Sequence, residues 1–145
     1  MNNKLTSSIV GGIVGTIVMT VIMFLAAKMG MPKMNPPVML ATTMGFSVAM
    51  GWIMHFIIGI IFALAYGYLF LPKVQKIKSK VAKGAIYGVI IFVFAQIMMQ
   101  VMGAMFSSMP APQGNMMLMI VGSIVGHVIF AIVVALFFKQ VNASS

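Results

Sequence analysis

The chain contains no aspartate and no glutamate, and neither arginine nor cysteine occurs in it. Each absence closes off chemistry. Without carboxylates there are no oxygen ligands of the kind that magnesium, calcium and manganese sites need. Glycoside hydrolysis, which takes a carboxyl pair, is excluded, as are the carboxylate proton relays of membrane pumps. A serine triad would lack its orienting acid. Without cysteine there is neither a disulfide framework nor a thiolate, and two histidines alone are too few for zinc. The polar side chains left are two histidines, nine lysines, hydroxyls and amides, beside eighteen methionines. An enzyme is not expected from such a set.

Charge is also scarce. Only 6% of residues are charged and 62% are hydrophobic, against about 25% charged in a soluble domain. That composition belongs to the membrane class. At 145 residues the chain is read as a single membrane domain, 1–145. The net charge of +9 comes from lysine alone. The lysines sit in short stretches between apolar runs. They suit anionic lipid headgroups and topology control, and nucleic acid is not expected.

Four apolar runs stand out, at about 9–27, 45–71, 84–105 and 116–138. Each is long enough to cross a bilayer core of about 30 Å at about 1.5 Å per residue. The first exceeds the hydrophobic region of a signal peptide, so it is read as a retained helix. Pro32, Pro36 and Pro37 interrupt the first connection,. Val38–Thr43 is expected to form a short interfacial or re-entrant helix. Lys73, Lys76, Lys78, Lys80 and Lys83 crowd the middle connection, and the third connection has no charge. Positive residues in short loops stay cytoplasmic, which puts both termini inside. The fold expected is all-α and integral to the membrane: four transmembrane helices, multi-pass, in the inner (plasma) membrane. The bilayer is the first partner, with anionic headgroups at Lys73–Lys83.

The second and fourth runs resemble each other. Aligned on His55 and His127, an offset of 72, Gly51 meets Ser123, Gly59 meets Ala131 and Ala63 meets Ala135. With an offset of 73, Gly11 meets Gly84 and Gly15 meets Gly88. Two hairpins in one orientation, 1–72 and 73–145, make a parallel repeat about an axis along the membrane normal. Gly11, Gly15, Gly51, Gly59, Gly84, Gly88, Ser123 and Ala131 are the candidate helix-packing positions. Small residues let backbones approach where lipid offers no hydrophobic drive.

The stretches GGIVGTIVMT (Gly11–Thr20), MGMPKMN (Met29–Asn35) and GWIMHFIIGIIFALAY (Gly51–Tyr66) resemble a family of small uncharacterised bacterial inner-membrane proteins. The resemblance implies four transmembrane helices and supplies no catalytic residue.

Three groups of side chains could carry a function. His55 and His127 fall near the middle of their spans, where an ionisable residue marks a functional site by default. Gln96 and Gln100, with Thr16 and Thr20, are their candidate hydrogen-bond partners, and the pair is expected to face a shared interior. Imidazoles that only fix helix packing are the simpler reading. Small neighbours at i±4 would admit haem b between histidine ligands. Methionine clusters flank the first and third connections, with Met31, Met34, Met102, Met105 and Met109 as candidate ligands. Thioethers select Cu(I) and need no carboxylate, though methionine is also a plain gap filler. No cofactor is favoured. The function expected is an accessory or structural subunit of a membrane complex, with a membrane-protein partner or as a homo-oligomer. The alternative is a module that binds or transports a small ligand, haem or Cu(I) through the histidines and the outer methionines.

Overall fold

Each α-helix of the described residues begins on a neutral cap, as a chain without acids requires. Asn3, Asn35, Ser47, Ser79 and Asn115 each accept a hydrogen bond from a backbone N–H of the first turn,. In the computed structural model, residues 3–106 and 114–139 are described. They form α1 (Lys4–Lys28), α2 (Pro36–Met44), α3 (Val48–Ala65), α4 (Lys80–Met105) and α5 (Met116–Phe137), and no strand occurs among them. Four stretches are long and apolar enough to cross a membrane: Lys4–Lys28, Val48–Val74, Lys80–Met105 and Met116–Phe137.

The caps move two boundaries away from the sequence expectation. Asn3 starts α1 at Lys4, so the polar segment before Ile9 is helical. Ser79 starts α4 at Lys80, which takes Lys80 and Lys83 out of the loop and into the helix. The short helix expected at Val38–Thr43 is present as α2, with Pro36 and Pro37 in its first turn. Prolines there lose no bond, because the first N–H groups of a helix have no intrahelical acceptor. Gly45, at φ +70°, ends α2 in the left-handed region, and Ser47 opens α3 two residues later,. At its far end α3 continues as a π turn, Tyr66–Phe70, and a 3-10 turn, Leu71–Val74. Pro72 explains the change of pitch, since it lacks an N–H and crowds the preceding turn.

The helices pack in the order α3, α1, α5, α4, and α2 lies against α3. Glycines make the central contacts. A Cβ on Gly12 would stand 2.8 Å from the Ile60 Cα of α3, and one on Gly15 would stand 3.0 Å from the Phe130 ring of α5. Gly84 and Gly88 of α4 have the Cα atoms of Ile132 and Val128 at 2.5 Å from the same imaginary position. These are close backbone approaches that any side chain would forbid. α3 and α4 meet differently, through long side chains. The Tyr87 hydroxyl donates to the Phe62 carbonyl at 2.8 Å, and Phe62 and Phe94 stack edge to face. Tyr66, Phe70, Tyr87 and Phe138 form an aromatic cluster at the lysine-rich end.

Candidate functional site

His55 belongs to a stripe on α3, Gly51, His55, Gly59 and Ala63, that is buried throughout. The i, i+4 spacing puts all four on one face. Its Nε2 lies 3.4 Å from the Thr20 hydroxyl of α1, and Trp52 and Phe56 flank the ring on its own helix. The space on either side of the histidine is filled. The Pro37 carbonyl and the Ala41 side chain of α2 cover Gly51, and the Thr16 hydroxyl covers Gly59. Thr16 is held in that pose because its hydroxyl donates to the Gly12 carbonyl one turn back. No room remains there for a flat macrocycle.

His127 is half-buried on α5. Its Nδ1 lies 2.7 Å from the Ser123 carbonyl. A carbonyl only accepts, so Nδ1 carries the proton and Nε2 keeps a lone pair in the neutral ring. The ring stands 6.0 Å from Phe92 of α4, edge to face. His55 therefore turns to α1 and His127 to α4. They are within electrostatic reach of one another but occupy different seams.

Gln96 and Gln100 do not join either histidine. Gln96 is half-buried and Gln100 exposed. Among the described residues neither amide makes a hydrogen bond. The glycine positions are occupied within the bundle. Gly11 lies under Phe137, Gly15 under Phe130, Gly59 under Thr16, and Gly84 against Ala131 and Ile132.

The methionines divide. Met31 and Met34 line a cavity of about 90 Å³ between α1, the first connection and α5, together with Met23. Gly122 and Gly126 make the space. The Met34 Cε would lie 2.6 Å and the Met31 Cε 3.5 Å from a Cβ at Gly122, while the Met23 sulfur would lie 3.3 Å from one at Gly126. Met102 and Met105 lie at the end of α4, with Met105 70% exposed, and line no part of this cavity. Met109 lies outside the described residues. Sequence reading missed Met23 because it sits inside an apolar span. Its signal is the i, i+4 pair with Met19 facing the Met31 and Met34 end.

A second cavity, of about 70 Å³, opens at the lysine-rich end and is lined by Lys4, Leu71, Pro72, Gln75 and Lys83. Lys83 is only 3% exposed. Lys4 is exposed, with its ammonium 5.8 Å from the Tyr68 ring centre. Lys80 donates to the Leu136 carbonyl at the end of α5, the favourable place for a cation on a helix dipole.

The chain belongs to a family of unknown function, DUF6789, whose model matches residues 2–145. No curated protein and no solved structure matches it.

Proposed function

We propose, from membership of a family that brings no activity with it, that this protein is an accessory or structural subunit of a membrane complex. It docks through the face of α4 that carries Gln96 and Gln100. Those two amides carry the reading. Gln96 sits nine residues before the end of α4 at Met105, about 14 Å along the helix. A polar amide left unpaired in hydrocarbon costs on the order of 2 kcal/mol or more. A polar group on a neighbouring helix removes that cost. The partner is another membrane protein or a second copy. The glycine faces are not available for docking, because the bundle uses them itself.

The test is a Gln96→Leu, Gln100→Leu double variant, sized in mild detergent and cross-linked in native membranes. Loss of the larger species with the melting temperature kept or raised is expected. An assembly of unchanged size would sink the docking face.

The same reading includes two pseudo-equivalent hairpins in one domain, with both termini cytoplasmic and the chain in a bacterial inner membrane. Contacts at a constant spacing support the repeat. Gly12 meets Gly59 and Ile60, and Gly84 meets Ala131 and Ile132. Thr20 faces His55, and Phe92 faces His127. Every member of these pairs is offset by 72, so 72 suits both hairpins better than 73. The lysine bias supports the orientation and headgroup contact at Lys73–Lys83. The shortage of acids and bases supports a role other than catalysis.

A second reading is favoured by the methionine cavity. Met23, Met31 and Met34 converge on one small space, and three thioethers suit Cu(I) or its surrogate Ag(I). Stoichiometric Ag(I) uptake that Met34→Leu abolishes would support it. A metal-free preparation that ignores added Ag(I) would dismiss it.

A further inference from the structure

We propose that the cavity between Lys4 and Lys83 seats the phosphate of an anionic membrane phospholipid. The inference rests on the headgroup reading above and narrows it from a loop to a site. It starts from Lys83. The residue is only 3% exposed, and it lines the cavity. No hydrogen bond or ion pair from its ammonium is found among the described residues. The ammonium itself is not sealed in, so it meets the cavity without a protein partner, and this chain has no aspartate or glutamate anywhere to supply one. An anion that pairs with it comes from outside.

The lining states its chemistry. Two lysines and one amide, Gln75, offer only cationic charge and N–H donors, over the apolar floor of Leu71 and Pro72. Lys80, the nearest further cation along α4, is already engaged at the Leu136 carbonyl. The space exceeds what a single water needs. It lies where α1 and α4 begin and the long α3 span ends. That is headgroup depth for helices cut to the length of a bilayer core. A phosphodiester is present at that depth on every lipid, and an anionic lipid brings it without a neutralising cation.

The origin of the burial is legible in the paired contacts. At the offset of 72, Lys83 corresponds to Gly11 and Tyr87 to Gly15. Gly11 and Gly15 let α5 close onto α1. Tyr87 instead reaches α3 at the Phe62 carbonyl, and Lys83 lines the cavity.

The test uses the full chain in mild detergent, with thermal melting read against added phosphatidylglycerol, phosphatidylcholine or inorganic phosphate. It is run at about 0.1 M and about 1 M salt, where screening lengths are about 10 Å and 3 Å. The wild type should prefer phosphatidylglycerol at both salts. Lys83→Gln should raise its apparent Kd by about tenfold or more, as removal of one partner of a buried pair does. Lys83→Arg should keep most of the preference. Lys76→Gln, on the exposed loop, should cost about fivefold or less, and only at low salt. If Lys83→Gln does not fold, Lys4→Gln decides, with an expected loss of about fivefold. Wild-type preference in Lys83→Gln, or in Lys4→Gln where it stands in, at high salt overturns the site. The general attraction then survives if Lys76→Gln still matters at low salt. Equal response to both lipids at low salt overturns site and attraction together. Inorganic phosphate as effective as the lipid overturns the lipid source.

Discussion

The Thr16 hydroxyl stands in the place a side chain on Gly59 would take, and its own bond to the Gly12 carbonyl fixes it there. α1 and α3 are joined at this point by a missing atom on one helix and a locked hydroxyl on the other. Gly59→Ala should destabilise the bundle by about 1–3 kcal/mol, the usual cost of overpacking. Thr16→Gly in the same molecule should recover most of the loss. Reversible unfolding in micelles measures both. A Gly59→Ala variant as stable as the wild type would show that α1 and α3 adjust freely.

The two histidines occupy different seams, so their removal should add. His55→Leu gives up the contact with Thr20, and His127→Leu the contact with the Ser123 carbonyl and Phe92. Sites without shared partners combine to within about 0.5 kcal/mol. A double variant whose loss departs from the sum by much more would show a common histidine site.

Tyr87→Phe keeps the aromatic cluster and loses only the bond to the Phe62 carbonyl. It should cost about 1 kcal/mol, the net value of one hydrogen bond. Tyr87→Ala removes the ring as well and should cost at least about 3 kcal/mol, as other buried aromatics do. Equal losses for the two variants would mean that the hydroxyl, not the ring, holds α3 and α4.

Gly122→Leu should push Met34 and Met31 out of the cavity they share with Met23. If that cavity takes Cu(I), Ag(I) uptake by the variant falls while the helical content seen by circular dichroism stays. Unchanged uptake would move the metal reading elsewhere.

The four spans are legible because long apolar runs leave no other choice in a chain with so little charge. Their ends are less so. Lys80 and Lys83 read as loop by composition, yet Ser79 caps a helix that contains them. The repeat offset is ambiguous by letter because Gly11 and Gly12 are adjacent. Either can be matched to Gly84, and only the contacts, Gly12 on Ile60 and Gly84 on Ile132, favour one. The histidines were visible as residues, but their neighbours were not, since Thr20 and Phe92 depend on which helix each ring turns to. Met23 and the burial of Lys83 were hidden for one reason. Each looks ordinary in its own segment, and only the neighbours brought by folding set it apart.

The helix order gives the bundle a spine and a fore-edge. Along the spine, α1 and α5 touch through Gly11, Gly15 and Gly126, where sliding or tilting would drive backbone into side chain. Along the fore-edge, α3 and α4 meet through the Tyr87 hydroxyl on the Phe62 carbonyl and the Phe62 and Phe94 rings. Local opening is therefore expected between α3 and α4 before α1 and α5 part, and hydrogen exchange would read the order. The Phe62 and Phe94 rings would be the first contact such an opening parts.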